Sequence, residues 1–123
     1  MWKNILLVGI GGGIGSIARY LAQKWVGLLL PHPFPWGTFL VNITGCLLIG
    51  LFYGLSVKGS LPGQDWKLFL LTGICGGYTT FSAFALENMQ LLRTGEFFYA
   101  ALYSGASVLL GIAAAFGGMA LTR

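Results

Sequence analysis

The sequence has few charged residues and very few residues of the types that bind metals. Asp, Glu, Lys and Arg make up only 8% of its 123 residues, whereas 56% are hydrophobic. Soluble domains carry about 25% charged residues, so this composition excludes a soluble globular domain and predicts an integral membrane protein. Histidine occurs once and cysteine twice, which is too few for a His/Cys metal cluster. We expect Cys46 and Cys75 to be small buried thiols without a disulfide.

The chain also lacks the side-chain groupings that enzymes use. It contains no carboxylate pair, no histidine near a nucleophile and no phosphate-binding loop. The glycines of residues 9–15 superficially resemble a dinucleotide fingerprint, but no strand–turn–helix unit surrounds them. The seven basic residues are scattered, so the net charge of +4 does not indicate nucleic-acid binding. We therefore expect neither an enzyme nor a nucleic-acid partner.

Four apolar runs are each long enough to cross a bilayer, which takes about 20 residues. They cover residues 5–30, 38–57, 66–92 and 97–121. Because they account for nearly the whole chain, residues 1–123 are predicted to form one all-α domain of four transmembrane helices. The first run extends past the apolar region of a signal peptide, and no small-residue cleavage site follows it. We interpret it as the first helix.

Short segments rich in proline and glycine separate these runs. They cover residues 31–37, 56–65 and 93–96, and the lone His32 in the first of them is not expected to have a role. Thr38 is predicted to be the N-cap of the second helix, and Gly95 to end the third. Four aromatic residues near the predicted interfaces are interpreted as a membrane belt: Trp25, Phe34, Trp36 and Trp66.

The basic residues are almost evenly divided between the two sides of the predicted membrane. If the helices alternate in direction, four lie on one side (Lys3, Lys58, Lys67, Arg123) and three on the other (Arg19, Lys24, Arg93). This difference is a weak orientation signal under the positive-inside rule. It leaves two alternatives open: one orientation chosen by other signals, or insertion in both orientations with pairing as an antiparallel dimer.

Small residues recur four positions apart, a spacing that lets membrane helices approach closely. This pattern predicts tight helix packing within the chain or a dimer, and specifies no chemistry. The pairs are Gly9 and Gly13, Gly11 and Gly15, Gly50 and Gly54, Gly73 and Gly77, and Ala113 and Gly117.

Residues 73–84 are the most informative part of the chain. Their sequence, GICGGYTTFSAF, places a glycine pair and three hydroxyl residues inside an apolar run. Each glycine weakens a helix by roughly 0.5–1 kcal/mol relative to alanine. In lipid, backbone freed by a helix break survives only where it is buried in protein or lines a polar cavity. The third helix is therefore predicted to be broken at mid-membrane, and the break is a candidate ion or substrate site.

Two strongly polar residues within the spans each admit two interpretations. Asn42 has two N–H donors and one acceptor, so it is either a ligand for a desolvated anion or a hydrogen-bonding link between helices. Arg19 lies late in the first span. It either extends to the interface as an anchor or raises the anion concentration at the mouth of a vestibule.

Weaker signals surround the predicted break. Phe81 and Phe84 share one helix face, where they either pack or offer positive ring edges to an anion. Tyr103 and Ser107 form a similar polar stripe on the fourth helix. Glu87 falls near the end of the third span, where it would cap the helix, pair with a basic residue or line an entrance.

Three blocks of the sequence resemble the Fluc (CrcB) family of fluoride channels. They are residues 12–20 (GGIGSIARY), 37–45 (GTFLVNITG) and 73–84, followed by Glu87. The resemblance implies an antiparallel, dual-topology homodimer in the cell (inner) membrane that exports fluoride passively. The resemblance therefore favours insertion in both orientations as the explanation of the even division of basic residues.

The resemblance also implies roles for individual residues. The fluoride pores would be lined by Asn42, Phe81 and Phe84, with polar contacts from Ser82, Tyr103 and Ser107, and Arg19 would lie near a vestibule. Backbone carbonyls of Gly76 and Thr79 would hold a structural sodium ion on the dimer axis. Ala83 departs from the family pattern, in which a second hydroxyl residue commonly stands between the two phenylalanines.

Two other functions compete with that of a fluoride channel. One is a proton-coupled exporter of small molecules or ions, similar to the small multidrug-resistance proteins, which needs a carboxylate deep in the membrane. Asp65, Glu87 and Glu96 all lie at or near span ends, which argues against it. The other is a non-transporting subunit of a larger complex, which leaves the polar break unexplained.

Overall fold

The protein forms a bundle of long apolar helices. The computed structural model describes residues 1–30, 33–60 and 63–123. Within these ranges, four helical segments are long and apolar enough to cross a membrane: Trp2–Leu29, Trp36–Lys58, Gln64–Arg93 and Phe97–Ala120. This confirms the prediction of an all-α, multi-pass membrane protein. Pro31, His32 and Pro62 lie outside the described residues.

The first two spans are continuous α-helices. Helix α1 covers Trp2–Leu29 and helix α2 covers Trp36–Lys58. The prediction that Thr38 caps α2 is wrong, because Pro35 occupies the cap position and its carbonyl accepts the first helical hydrogen bond, from the Phe39 N–H at 3.1 Å. Proline fixes φ near the value that a helix needs, so the helix begins at Trp36. The Thr38 hydroxyl is thereby free to bond elsewhere.

The third span is built from four pieces. In chain order they are α3 (Gln64–Lys67), a π-helix (Leu68–Cys75), α4 (Gly76–Tyr78) and α5 (Phe81–Arg93). Between α4 and α5, Thr79 and Thr80 adopt extended backbone angles, with ψ of 156° and 120°. π-Helical turns are rare in proteins and are frequent at functional sites. We call Thr79 and Thr80 the interruption.

Helix α5 ends in a glycine turn before α6 (Phe97–Ala120) begins. Gly95 has φ of 81°, a value that favours glycine. The N–H groups of Gly95 and Glu96 donate to the carbonyls of Leu92 and Leu91 at 3.3 and 2.8 Å, which is the Schellman pattern. The prediction that Gly95 ends the third helix is confirmed.

Glycines bring α1 into backbone contact with the third span. A Cβ on Gly11 would lie 2.7 Å from the Phe69 carbonyl oxygen, and one on Gly15 would overlap the carbonyl oxygen of Ile74. From the other side, a Cβ on Gly77 would overlap the Gly12 carbonyl oxygen. The first helix therefore packs directly against the π-helix and α4, and it holds the backbone next to the interruption.

Helices α2 and α6 pack against each other in the same way. Gly50 leaves no room for a Cβ beside the Ala115 carbonyl, and Gly118 leaves none beside the Leu47 carbonyl. In contrast, Gly9, Gly13 and Gly117 have open space around them within the described part of the chain. The four-residue spacing thus marks helix contacts at some of its positions and not at others.

An aromatic cluster fills one end of the bundle. Phe34 is only 7% exposed and its ring lies 5.6 Å from that of Tyr103, edge to face. The interpretation of Phe34 as part of a membrane belt is therefore wrong, because the segment before α2 folds back over α6. Trp25 and Trp66 are exposed, as the belt interpretation expects. At the other end, Lys3 and Asp65 form an exposed ion pair at 3.0 Å.

Candidate functional site

Asn42 holds the interruption through both ends of its carboxamide. Its Oδ1 accepts a hydrogen bond from the Thr80 backbone N–H at 2.9 Å, and its Nδ2 donates to the Thr80 carbonyl at 3.2 Å. The side chain thus replaces the backbone partners that a continuous helix would give Thr80. The structure shows Asn42 as a link between helices, and one of its two Nδ2 protons remains for another acceptor.

The hydrogen bonds around the interruption divert donors away from two backbone carbonyls. In a continuous α-helix, the Gly76 carbonyl would accept from the N–H of Thr80, and the Thr79 carbonyl from that of Ala83. Here the Thr80 N–H donates to Asn42, and the Ala83 N–H donates to the Thr80 Oγ at 3.2 Å. Gly76 and Thr79 therefore lose their helical donors, and they are the two residues expected to bind a cation.

Arg19 contacts the same stretch of backbone from α1. Its Nε–H donates to the Gly77 carbonyl at 3.2 Å, and the Ser16 hydroxyl lies 3.5 Å from the same oxygen. The guanidinium is therefore not free, because its Nε–H is bound to the Gly77 carbonyl in α4. Neither the anchor nor the vestibule interpretation included this hydrogen bond. A guanidinium has further N–H donors beyond Nε, and these are available to other acceptors.

A cavity of about 350 Å³ lies beside the interruption. We call it the break cavity. It brings together six of the residues predicted to form the site: Asn42, Gly76, Thr79, Phe81, Phe84 and Ser107. The two phenylalanine rings lie 5.7 Å apart, and the Ser107 hydroxyl is buried without a hydrogen-bond partner in the described residues.

A second cavity, of about 600 Å³, is lined by residues of α1 and α5 and by the segment that leads into α2. We call it the Glu87 cavity, because Glu87 is the only charged residue among the described residues that line it. The centroids of the Phe84 and Tyr103 rings lie 5.0 Å apart, and the Tyr103 hydroxyl donates to Glu87 Oε1 at 3.1 Å. Glu87 is thus linked through Tyr103 to Phe84, which lines the break cavity.

Glu87 pairs with hydroxyl groups and not with a basic residue in the described parts of the chain. Its second oxygen, Oε2, accepts a hydrogen bond from the buried Thr38 hydroxyl at 2.9 Å, and Gln23 Nε2 donates to that hydroxyl at 3.0 Å. Sequence reasoning missed Thr38 and Gln23 as parts of the site. The sequence did offer a signal for them. Polar side chains are scarce within the spans, and each of them needs a hydrogen-bond partner because lipid supplies none.

Three predicted site residues line neither cavity in the described structure: Arg19, Ser82 and Tyr103. The Ser82 hydroxyl lies 3.4 Å from that of Thr80 on the exposed side of α5. Ala83, where the family commonly has a hydroxyl, lines the Glu87 cavity. Its backbone N–H serves as the capping donor to Thr80.

Side-chain metal sites do not occur in the described ranges. No three His, Cys, Asp or Glu side chains are grouped there so that they could hold a metal ion. Cys75 is buried and Cys46 half-buried, both as free thiols. Backbone and carboxamide carbonyl oxygen atoms, which are suitable ligands for hard cations, do lie beside the interruption.

Comparison with known proteins matches nearly the whole chain to one family. The family model described as "CrcB-like protein, Camphor Resistance (CrcB)" matches residues 6–119. The chain belongs to the CrcB family. The match includes the interruption, both cavities, and the α1 residues that brace them.

Relatives of this CrcB protein carry a common name. It is 50% identical over 123 residues to the fluoride-specific ion channel FluC 1 of Nitrobacter hamburgensis, covering 99% of this chain and 97% of that protein. The fluoride-specific ion channel FluC of Flavobacterium psychrophilum is 46% identical over 121 residues, covering 98% of both chains. That of Chlorobium phaeobacteroides is 48% identical over 125 residues, covering 99% of this chain and 94% of the relative.

Proposed function

We propose that this CrcB protein is a fluoride-selective channel that lets fluoride leave the cell passively across the cytoplasmic (inner) membrane. The observation that carries the proposal is the break cavity, which combines hydrogen-bond donors and aromatic rings beside an interrupted membrane helix. The relatives named as fluoride-specific ion channels support it, because the similarity extends over nearly the full length of both chains.

The chemistry of the break cavity suits a small, strongly hydrated anion. Removing water from fluoride is costly unless other polar groups replace the hydration shell. The second Nδ2 proton of Asn42 and the buried Ser107 hydroxyl are available donors, and the ring edges of Phe81 and Phe84 carry partial positive charge. None of the described residues that line the cavity is Lys or Arg. An anion held without a full opposite charge can also leave, as conduction requires.

We propose further that two copies pair in antiparallel orientation, with the interruption at mid-membrane. The Phe81 ring is 79% exposed in the single chain although it lines the break cavity. A second copy would cover this ring and close the open side of the cavity, and each of the two chains would then contribute one pore. The near-equal division of basic residues between the two sides supports insertion in both orientations.

A structural sodium ion fits the backbone at the interruption. The carbonyls of Gly76 and Thr79 are the ones whose helical donors are diverted to Asn42 and Thr80, and carbonyl oxygens of an unwound helix are suitable sodium ligands. When bound, the ion would supply positive charge that holds the carbonyl dipoles of two subunits together. Replacing sodium with a large organic cation during purification should weaken the dimer, as measured by its dissociation in detergent.

Fluoride efflux from liposomes tests the proposed function directly. With purified protein and a fluoride electrode, the wild type should release fluoride rapidly and chloride very slowly. The double variant Phe81→Ile/Phe84→Ile should abolish fluoride release, whereas Phe98→Ile, at an exposed position on α6, should leave it unchanged. Chloride efflux at a comparable rate would contradict fluoride selectivity.

The same liposomes separate a channel from a proton-coupled exporter. A channel moves fluoride only down its gradient, so an imposed proton gradient should not drive accumulation against it. Uphill transport that depends on the proton gradient and disappears in Glu87→Gln would instead indicate an exporter.

A further inference from the structure

Gln23 stands at the start of a chain of hydrogen bonds that links four helices of the bundle. Its carboxamide on α1 donates to Thr38 on α2, and Thr38 donates to Glu87 on α5. On the opposite side of the carboxylate, Tyr103 of α6 donates to the other oxygen. Thr38 and Tyr103 are 2% and 0% exposed, so these two hydroxyls are shielded from solvent, whereas Gln23 and Glu87 are half-buried at the Glu87 cavity.

The chemistry of each group sets the direction of the chain. A threonine hydroxyl has a single proton, and it both donates and accepts, whereas a carboxamide nitrogen only donates. Because Gln23 Nε2 donates to the Thr38 oxygen, the Thr38 proton is left for Glu87 Oε2. If the donor from Gln23 were removed, the Thr38 hydroxyl would be free to rotate toward another acceptor. The Glu87 carboxylate would then lose a hydrogen-bond donor of fixed orientation.

This hydrogen-bond chain connects Gln23 to a residue of the break cavity. Glu87 is bonded to Tyr103, and Tyr103 contacts Phe84, which lines the break cavity. Gln23 itself lines the Glu87 cavity and lies four residues after Arg19, on the next turn of α1. The same helix thus contacts the backbone of α4 through Arg19 and lines the Glu87 cavity through Gln23.

We propose that Gln23 is a positioning residue for ion passage: acting through Thr38, it orients the hydroxyl proton that holds Glu87, and Glu87 in turn holds Tyr103 against Phe84 of the break cavity. This inference rests on the proposed fluoride channel function. Gln23 acts at a distance from the break cavity, since its direct partner is the Thr38 hydroxyl.

Fluoride efflux in a double-mutant cycle tests this proposal. Gln23→Met keeps the length of the side chain and removes the donor, and it should slow efflux about fivefold, the effect expected for the loss of one hydrogen bond. Thr38→Val should slow efflux at least as much. Adding Gln23→Met to Thr38→Val should cause no further loss, because the residue acts only through that hydroxyl. Two effects that multiply in the double variant would overturn the proposal.

Gln90→Met is the matched control, since Gln90 lines the same cavity and is not part of the hydrogen-bond chain. It should leave efflux close to that of the wild type. A loss equal to that of Gln23→Met would show that any carboxamide at this cavity has the same effect, which contradicts a specific role for Gln23.

Infrared spectroscopy of Glu87 separates positioning from simple helix packing. The chain has two glutamates, Glu87 and Glu96, so ¹³C-labelled glutamate in a Glu96→Gln background reports on Glu87 alone. Gln23→Met should shift the carboxyl band in the same direction as Thr38→Val does. An unchanged band would overturn the proposal even if efflux fell. Absence of fluoride efflux from the wild type would contradict the channel function instead.

Discussion

At the scale of single residues, side chains replace the backbone partners that the third span gives up. Asn42 bonds both backbone groups of Thr80, and Arg19 bonds the Gly77 carbonyl. Unpaired backbone groups in lipid cost several kcal/mol each, so these two residues make the interruption tolerable in a membrane. Their first role is therefore structural, and any contact with an ion uses the donors that remain.

Asn42→Leu should destabilise the protein, because it removes both hydrogen bonds to Thr80 while keeping a similar volume. We expect a loss of about 2 kcal/mol in the free energy of unfolding, measured by chemical denaturation in detergent, together with slower fluoride efflux. Ser82→Ala is the control, since its exposed hydroxyl lines neither cavity, and it should change stability by less than about 0.5 kcal/mol. Equal losses in the two variants would contradict the role given to Asn42.

Arg19→Lys should separate the charge of this residue from its hydrogen bond. Lysine keeps the positive charge but lacks the planar Nε–H that reaches the Gly77 carbonyl. We expect Arg19→Lys to lose about 1 kcal/mol of stability and Arg19→Met to lose more, in the same denaturation assay. Lys24→Met, at an exposed position on the same helix, should have little effect. Full stability in Arg19→Lys would show that charge alone matters.

At the scale of elements, the geometry of the third span depends on the first. The π-helix and α4 lie against a row of α1 glycines, and the closest backbone contacts are at Gly11, Gly15 and Gly77. Since van der Waals packing is the main force between membrane helices, this contact holds the segment that leads into the interruption. A change in α1 should therefore reach the site even where it touches no predicted pore residue.

Gly15→Ala and Gly13→Ala form a matched pair on α1. A Cβ at Gly15 would overlap the Ile74 carbonyl, whereas one at Gly13 meets nothing within 4 Å in the described chain. Gly15→Ala should cost about 1–3 kcal/mol of stability through overpacking and should slow efflux. Gly13→Ala should be neutral or stabilising by up to about 1 kcal/mol. Thermal unfolding in detergent measures both, and the reverse order would contradict the packing described.

At the scale of the whole molecule, the single chain leaves its proposed ion path open on one side. Phe81 is 79% exposed beside the break cavity, and a neighbouring cavity lined mainly by apolar residues includes Ile49, Tyr53 and Phe116. Apolar surface is compatible with lipid, but a path for an anion is not, because lipid supplies no hydrogen-bond donors. The site therefore needs a cover, and a second copy in the opposite orientation is the one proposed.

Cysteine labelling in cells tests this dual topology. A reporter introduced by Ser60→Cys, at the exposed end of α2, is placed in a chain whose native thiols at Cys46 and Cys75 are replaced by alanine. A membrane-impermeant maleimide should label about half of the chains from outside and the rest after permeabilisation, because the basic residues set no strong orientation. Labelling of all chains, or of none, from outside would contradict insertion in both orientations.

Membrane class and the position of the extended backbone at Thr79 and Thr80 were readable from the sequence, because both follow from local chemistry. Four apolar runs suffice to predict four spans, and Gly76, Gly77, Thr79 and Thr80 are helix-weakening residues whose effect is local. The roles of Asn42 and Arg19 could not be decided in this way. Each side chain suits an anion, an interface or a backbone carbonyl equally well, and only its neighbours in space select among them.

The sequence by itself determined that this chain spans a membrane four times and that its third span carries the unusual backbone, because hydrophobicity and helix propensity act over neighbouring residues. Tertiary structure alone decided which polar groups meet: Asn42 with Thr80, Arg19 with Gly77, Gln23 with Thr38, and Thr38 with Glu87. These partners lie between 15 and 58 positions apart in the chain. Hydrogen bonds at such separations depend on how the helices pack, and no local pattern specifies them.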